Sequence, residues 1–258
     1  MVVKALLFAG LLLGSPAMAQ EPTDEDRARW AREAEERTHN DWAYLSRYRD
    51  ENAKLEATPG VPRIVFMGDS ITQGWPDKVP SFFKPGRIGR GISGQTTPQM
   101  LVRMHQDVIA LRPRVVHIMA GTNDVAGNTG VTSDLDIQNN VRAMTELAQA
   151  HGIRVILASI PPAADFPWNP GLNPGVRIQR LNAWIRDYAG RSGSIYADYW
   201  TATHDGLGFR PGLAYDGVHP SAEGYAAMAP VAEAAIKKAL ALPSSGTAAA
   251  CARSKSPC

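Results

Sequence analysis

The run Val115-Val116-His117-Ile118-Met119-Ala120 is almost entirely apolar and ends at Gly121-Thr122-Asn123-Asp124. A strand with one solvated face alternates polar and apolar side chains; a run without alternation reads as a strand buried on both faces, the pattern of a parallel sheet. Such a strand needs a layer of helices on each side. The rest of the chain supplies that layering. Residues 63–67 form a second apolar run, preceded by the helix-breaking Pro59, Gly60 and Pro62 and followed by Gly68-Asp69-Ser70. Further strands are read at residues 87–92, 154–160 and 194–198, the second of these closed by Pro161-Pro162. Helical patterns fall at about residues 98–111, 133–150, 176–188 and 222–240, with His151-Gly152 as a stop signal and Ser221 as a cap. Strand and helix alternate, which implies a parallel sheet covered on both faces.

A chain of 258 residues with 44% hydrophobic and 20% charged residues has the material for one globular domain with a sizeable core, and no repeat of fixed period divides it. Its start is of another kind. Lys4, an apolar run at residues 5–13, then Gly14, Ser15, Pro16 and Ala17-Met18-Ala19 read as a secretory signal with cleavage after Ala19. A membrane anchor would need roughly 20 apolar residues, about twice this run, so stable membrane insertion is not expected. Export places the chain in a periplasm or outside the cell. Residues 20–58 are rich in Asp, Glu, Arg and Ala, with Trp30, Trp42, Tyr44, Leu45 and Tyr48 at near-helical spacing, and read as one or two amphipathic helices packed on the domain. The globular domain spans residues 59–242, and residues 243–258 are small and polar, the composition of a disordered tail.

The formal net charge of +2 at pH 7 offers nothing to attract nucleic acid. Cys251 and Cys258, both in the tail, lack the His or Cys partners of a zinc site; in an oxidising compartment they could pair with each other or with another chain. No metal or organic cofactor is expected, and the sequence leaves the oligomeric state open.

In a doubly wound sheet, reacting groups gather at the carboxyl ends of the strands. Three polar clusters sit at such exits, around Ser70, Gly94 and Asn123, and a fourth, Asp216-Gly217-Val218-His219, lies in the loop before the last helix. Together they supply a nucleophile, three possible oxyanion donors and an acid/base pair. A serine hydroxyl at its free pKa attacks poorly, so a histidine must take its proton and an acid must orient that histidine. Asp216 and His219, three residues apart in one loop, can meet directly while the other ring nitrogen faces Ser70. The Ser70 N–H, the Gly94 N–H and the Asn123 side-chain amide could then hold the negative oxygen of a tetrahedral intermediate.

Each cluster alone has a plainer reading. A serine at a strand exit is commonly a cap, Asp216-Gly217 a turn, His219-Pro220 a helix approach, and Asn123-Asp124 a loop or cap. His117, His105 and His151 fall in or beside strands and helices, His39 in the charged segment, and His204-Asp205 is the one rival pair. There is no Gly-x-Ser-x-Gly elbow, which argues against the ordinary α/β-hydrolase fold.

Gly68-Asp69-Ser70, Gly94, Gly121-Thr122-Asn123-Asp124 and Asp216-Gly217-Val218-His219, in this order, resemble the sequence blocks of the SGNH (GDSL) hydrolase superfamily. The resemblance covers roughly residues 63–240. It implies a flavodoxin-like three-layer α/β/α sandwich with a five-stranded parallel sheet in the order 2-1-3-4-5, and it assigns Ser70, Gly94, Asn123 and His219 the roles given above. Residues 91–97 and the Gly-Asp-Ser-Ile-Thr start are similar to bacterial platelet-activating-factor acetylhydrolase-like acylhydrolases and carbohydrate acetylesterases. That points to short acyl esters, often acetyl, on a small molecule or polysaccharide. Asp69 beside the nucleophile, Trp75 close after it and Trp168 in a proline-rich loop are the candidate substrate contacts; either tryptophan could be a stacking platform for a sugar ring or simple packing under a loop. Lysophospholipid, thioester or aryl ester substrates form the second reading. A non-catalytic carbohydrate-binding protein on the same fold is the third, and its sign would be a broken triad.

Overall fold

The computed structural model describes residues 23–242. The readings made for the signal peptide, for the tail and for Cys251 and Cys258 lie outside the described residues. Five parallel strands form the central sheet: β1 (Ile64–Gly68), β2 (Arg87–Gly91), β3 (Val115–Met119), β4 (Arg154–Ala158) and β5 (Ile195–Ala197), in the order β2-β1-β3-β4-β5. All of β1, β3 and β4 is buried, as the absence of alternation requires.

Successive side chains of a strand point to opposite faces, so each strand feeds two cores. Val65, Met67, Val116 and Ile118 join one, with Met100 and Met104 of helix α4 (Thr97–Asp107), Ile137 and Val141 of α6 (Asp134–Ala150), and Ile178 and Leu181 of α7 (Gly175–Ser192). Ile64, Phe66, Val115 and Met119 join the other, with Ile71 and Trp75 of α3 (Ser70–Lys78) and Tyr225, Met228 and Ile236 of α9 (Ala222–Ala241). The result is the three-layer sandwich. Local chemistry sets the helix starts: Ser133 Oγ accepts the Asp136 N–H at 3.1 Å and Ser221 Oγ the Gly224 N–H at 3.2 Å, caps worth about 1 kcal/mol each.

Register aligns the strand exits. Gly68 pairs with Gly91 on one side and with Met119 on the other. From β1 the chain crosses to β2 at one edge and returns past β1 to β3, so the order reverses between β1 and β3, and a crevice opens at such a switch point. Helix α3 lies hard against β2: a Cβ on Gly91 would stand 2.1 Å from the Gln73 nitrogen. That close approach leaves glycine as the residue that fits.

The segment expected to be helical before the sheet contains two helices, α1 (Asp24–Asn40) and α2 (Arg49–Ala53). Helix α1 forms a unit of its own, with Asp24, Glu25 and Asp26 in its first turn and Arg37 and His39 in its last, matching the helix dipole. From Asp41 the chain belongs to the compact body. Gln95, Gln99 and Gln106 donate through their side chains to the carbonyls of Ala43, Trp42 and Leu45 at 2.7, 2.8 and 2.6 Å, and the Tyr48 hydroxyl donates to Gly91 O at 2.5 Å. Residues 41–53 are thus strapped to α4 and to the end of β2. Short helices α5 (Thr122–Val125) and α8 (Tyr199–Thr203), two 3-10 turns (Pro80–Phe82 and Ile109–Leu111) and a two-stranded hairpin, β6 (His204–Asp205) and β7 (Gly208–Phe209), complete the described chain. Among the described residues no helix is long and apolar enough to cross a membrane.

Candidate active site

β1 ends at Gly68 and two residues later Ser70 opens α3. The turn is capped by Asp69, whose Oδ1 accepts the Ile71 N–H at 3.0 Å. Asp69 was a candidate substrate contact, but it is only 1% exposed, and its carboxylate faces the protein. Burial pushes its carboxyl up to about 6, opposed by the Ile71 N–H and His219 and reinforced by the nearby Asp124. The first N–H groups of a helix have no intrahelical partner and carry positive partial charge. Ser70 therefore presents both a hydroxyl and a free-facing N–H at the sheet edge.

The loop before α9 folds on its own aspartate. Asp216 Oδ1 accepts the N–H groups of Val218 and His219 at 3.0 and 2.7 Å, and its Oδ2 lies 2.7 Å from His219 Nδ1. Partial burial resists ionisation of Asp216, yet these bonds outweigh it and hold the carboxyl below the usual range. A carboxylate accepts only, so His219 Nδ1 carries the proton and Nε2 the lone pair. That Nε2 lies 2.9 Å from Ser70 Oγ. Serine, imidazole and carboxylate thus form one continuous line. The rival His204 is turned elsewhere: its Nδ1 lies 2.9 Å from Trp200 O and its ring stacks on Trp200. His117 is buried in β3 against the Tyr199 hydroxyl at 2.8 Å, and burial pushes its imidazole down to about 3, so it stays neutral.

Gly94 follows β2 with φ +77°, a conformation that suits glycine. Among the described residues no acceptor meets the N–H of Gly94 or of Ser70. Asn123 is the second residue of α5, which opens directly after Gly121 with φ +122°, and it is 3% exposed. Its Nδ2 donates to Gln95 O at 3.0 Å, with Asp69 Oδ2 at 3.5 Å; its Oδ1 accepts from Asn128 Nδ2 at 2.8 Å. Asp124 bolts α5 to the start of α4, accepting the Thr97 N–H at 2.9 Å and its hydroxyl at 2.6 Å. Asn123 Nδ2 thus stands beside Asp69, the residue before Ser70, and the N–H groups of Gly94 and Ser70 are the other two candidate donors.

The two tryptophans part company. Trp75 is 0% exposed, stacked on Phe82 at 4.7 Å and beside Tyr225 at 5.4 Å. Helix α3 turns Ile71, Thr72 and Trp75 onto one buried face, so Trp75 is core and offers no platform, which corrects the reading of it as a possible substrate contact. Trp168 is 44% exposed, its ring 5.9 Å from that of His219, with Phe166 beneath it at 5.2 Å. Two residues at the site were not singled out from the sequence. Tyr215, 66% exposed, stacks on His219 at 5.6 Å with planes 14° apart; its position next to Asp216 was the available signal. Asn128 links Asn123 to Trp168, whose indole N–H donates to its Oδ1 at 3.0 Å. Among the described residues no three His, Cys, Asp or Glu side chains stand together to hold a metal ion.

The model of the GDSL-like lipase/acylhydrolase family matches residues 66–227, a span that runs from β1 past His219. The solved structure of a candidate acylhydrolase from Bacteroides fragilis is 44% identical, with a TM-score of 0.75 over 78% of this chain and 99% of that one. A GDSL-like lipase from Bacteroides thetaiotaomicron is also 44% identical, with a TM-score of 0.74 over 77% of this chain and 100% of its own. An acetylxylan esterase from Geobacillus stearothermophilus shares the fold at 20% identity, with a TM-score of 0.56 over 70% of this chain and 95% of that one. No curated protein matches the sequence.

Proposed function

The chain belongs to the GDSL-like lipase/acylhydrolase family and is an ester-cleaving hydrolase, and we propose that it is an exported serine esterase that removes short acyl groups, chiefly acetyl, from carbohydrates. The observation that carries this reading is the line from Ser70 Oγ to His219 Nε2 at 2.9 Å and from His219 Nδ1 to Asp216 Oδ2 at 2.7 Å. In this reading Ser70 Oγ attacks the ester carbonyl carbon as its proton passes to His219 Nε2, and Asp216 steadies the imidazolium that forms. The tetrahedral oxygen takes hydrogen bonds from the Ser70 N–H, the Gly94 N–H and Asn123 Nδ2, each donor worth roughly 3 to 4 kcal/mol in the transition state. Collapse breaks the ester C–O bond, and His219 returns the proton to the departing alcohol. Water, deprotonated by the same imidazole, then attacks the acyl-Ser70 carbonyl and releases the acid.

A carbohydrate as the alcohol is supported by the aromatic faces beside His219. Trp168 and Tyr215 are both exposed and both within 6 Å of the imidazole ring. Flat rings of this kind pack against the apolar face of a sugar. Export rests on the signal pattern of residues 1–19.

The test is hydrolysis of p-nitrophenyl esters from acetate to long chains by the mature protein, beside Ser70→Ala and His219→Ala. Turnover confined to short chains and lost in both variants is the expected result, and acetylated polysaccharides are then the next substrates. Rates that rise with chain length would move the assignment to a lipase or thioesterase. No turnover of any ester would leave a carbohydrate-binding protein as the better account.

A further inference from the structure

Indole nitrogen can only donate a hydrogen bond, and a backbone carbonyl can only accept one. Between a donor of the first kind and an acceptor of the second stands Asn128. Its Oδ1 accepts from Trp168 Nε1 at 3.0 Å, and its Nδ2 faces Gly94 O at 3.3 Å. The amide of Asn128 therefore has one sense, with NH2 turned inward. That NH2 also meets the side chain of Asn123 at 2.8 Å, which must present its oxygen there. Once Asn123 Oδ1 is pinned, its NH2 is aimed the other way, with one hydrogen on Gln95 O at 3.0 Å and the other turned towards Asp69, the residue before Ser70, whose Oδ2 stands at 3.5 Å, the limit of a hydrogen bond. Rotated by 180°, Asn123 would set its oxygen against Gln95 O and its NH2 against that of Asn128, two mismatched pairs in a site that is 3% exposed. The backbone reinforces the link, since the Asn128 N–H donates to Asn123 O at 3.0 Å.

We propose that Asn128 is a positioning residue for acyl transfer: held by Trp168, it fixes which end of the Asn123 amide faces the reacting oxygen. The proposal rests on the reading of Asn123 as an oxyanion donor. It also assigns Trp168 a second duty besides any contact with sugar, because its N–H begins the chain of donors and acceptors that ends at Asn123.

Asn128→Asp separates these duties. The carboxylate keeps an oxygen for the Trp168 N–H but loses the donor to Asn123 and Gly94, and it sets a negative oxygen against Asn123 Oδ1. The measurement is kcat and KM on p-nitrophenyl acetate, which carries no sugar, for wild type, Asn123→Ala, Asn128→Asp and the double variant, each checked for an unchanged thermal midpoint. Loss of one oxyanion donor lowers kcat by about 10²- to 10³-fold, and Asn128→Asp is expected to lose roughly 10- to 100-fold of that with KM nearly unchanged. The double variant is expected to fall no lower than Asn123→Ala, because Asn128 acts through Asn123. A wild-type kcat in Asn128→Asp overturns the proposal, and so does a double variant that loses the product of the two single effects. If Asn123→Ala itself keeps a wild-type kcat, the oxyanion reading has failed, and the positioning role falls with it for a separately visible reason.

Discussion

Replacing Asp69 by Asn should change how stability depends on pH, in a direction fixed by burial. Asp69 lies 1% exposed under the first turn of α3, and burial raises its carboxyl from 3.8 to about 6, with Asp124 adding to the rise and the Ile71 N–H and His219 opposing it. The folded chain thus binds this proton more tightly than the unfolded chain does. The stability tied to the neutral acid is complete below about pH 4 and is lost as pH rises through about 6, where the folded state must carry a buried carboxylate. A rise of about two units corresponds to at most about 3 kcal/mol. The Asn variant keeps an oxygen for the Ile71 N–H at 3.0 Å and has no charge to bury. Any fixed cost of its NH2 facing Asn123 Nδ2 is the same at every pH and cancels in the comparison. Urea unfolding of both proteins at pH 4 and pH 8, with equal m-values, is the assay. The variant should gain up to about 3 kcal/mol on wild type between the two pH values, a relative rise in thermal midpoint of at most about 10 °C for a body of this size. Parallel pH profiles, differing by less than about 0.5 kcal/mol, would show that burial does not raise the Asp69 carboxyl.

Trp75→Ala should cost about 3 to 5 kcal/mol of stability while leaving the KM for sugar esters unchanged in the folded fraction, and Trp168→Ala should do the reverse; thermal melts and steady-state kinetics on an acetylated sugar separate the two. Asp216→Asn should lower kcat by about 10⁴-fold at neutral pH through loss of the imidazole's orientation, with the circular dichroism spectrum intact. Gly91→Ala drives a Cβ to 2.1 Å from the Gln73 nitrogen, so α3 must shift and carry Ser70 with it; a loss of about 3 kcal/mol or more, together with most of the activity, is expected in unfolding and turnover assays.

The sheet was legible because burial on both faces suppresses alternation. Residues 115–120 and 63–67 could be read as strands for that reason, and β3 and β1 lie there. Their order was another matter, since nothing in the runs says which strands pair, and it came with the family resemblance. Helix α3 escaped notice because Gly74 and Pro76 interrupt its nine residues; it forms because Asp69 caps it and Ile71, Thr72 and Trp75 make a buried face. Read as a helix, that spacing would have placed Trp75 in the core. Ser70, Asp216, His219, Gly94 and Asn123 could be named because acyl transfer asks for those residue types at strand exits and in one loop. Asn128 could not. The run Gly127-Asn128-Thr129-Gly130 has the composition of a turn, and the partners that orient Asn128, Gly94 and Trp168, lie far from it along the chain.

If Ser70 Oγ is the nucleophile and His219 its base, an ester-like electrophile that cannot be turned over must stay bound to Ser70. The mature protein is treated with a fluorophosphonate, whose phosphorus takes the place of the ester carbonyl, and the intact mass and proteolytic peptides are measured beside Ser70→Ala and His219→Ala. A single adduct is expected, on the peptide holding Ser70, absent from Ser70→Ala and formed far more slowly in His219→Ala, in step with lost esterase activity. An adduct on another residue, or ester turnover at the wild-type rate in Ser70→Ala, would contradict this role for Ser70.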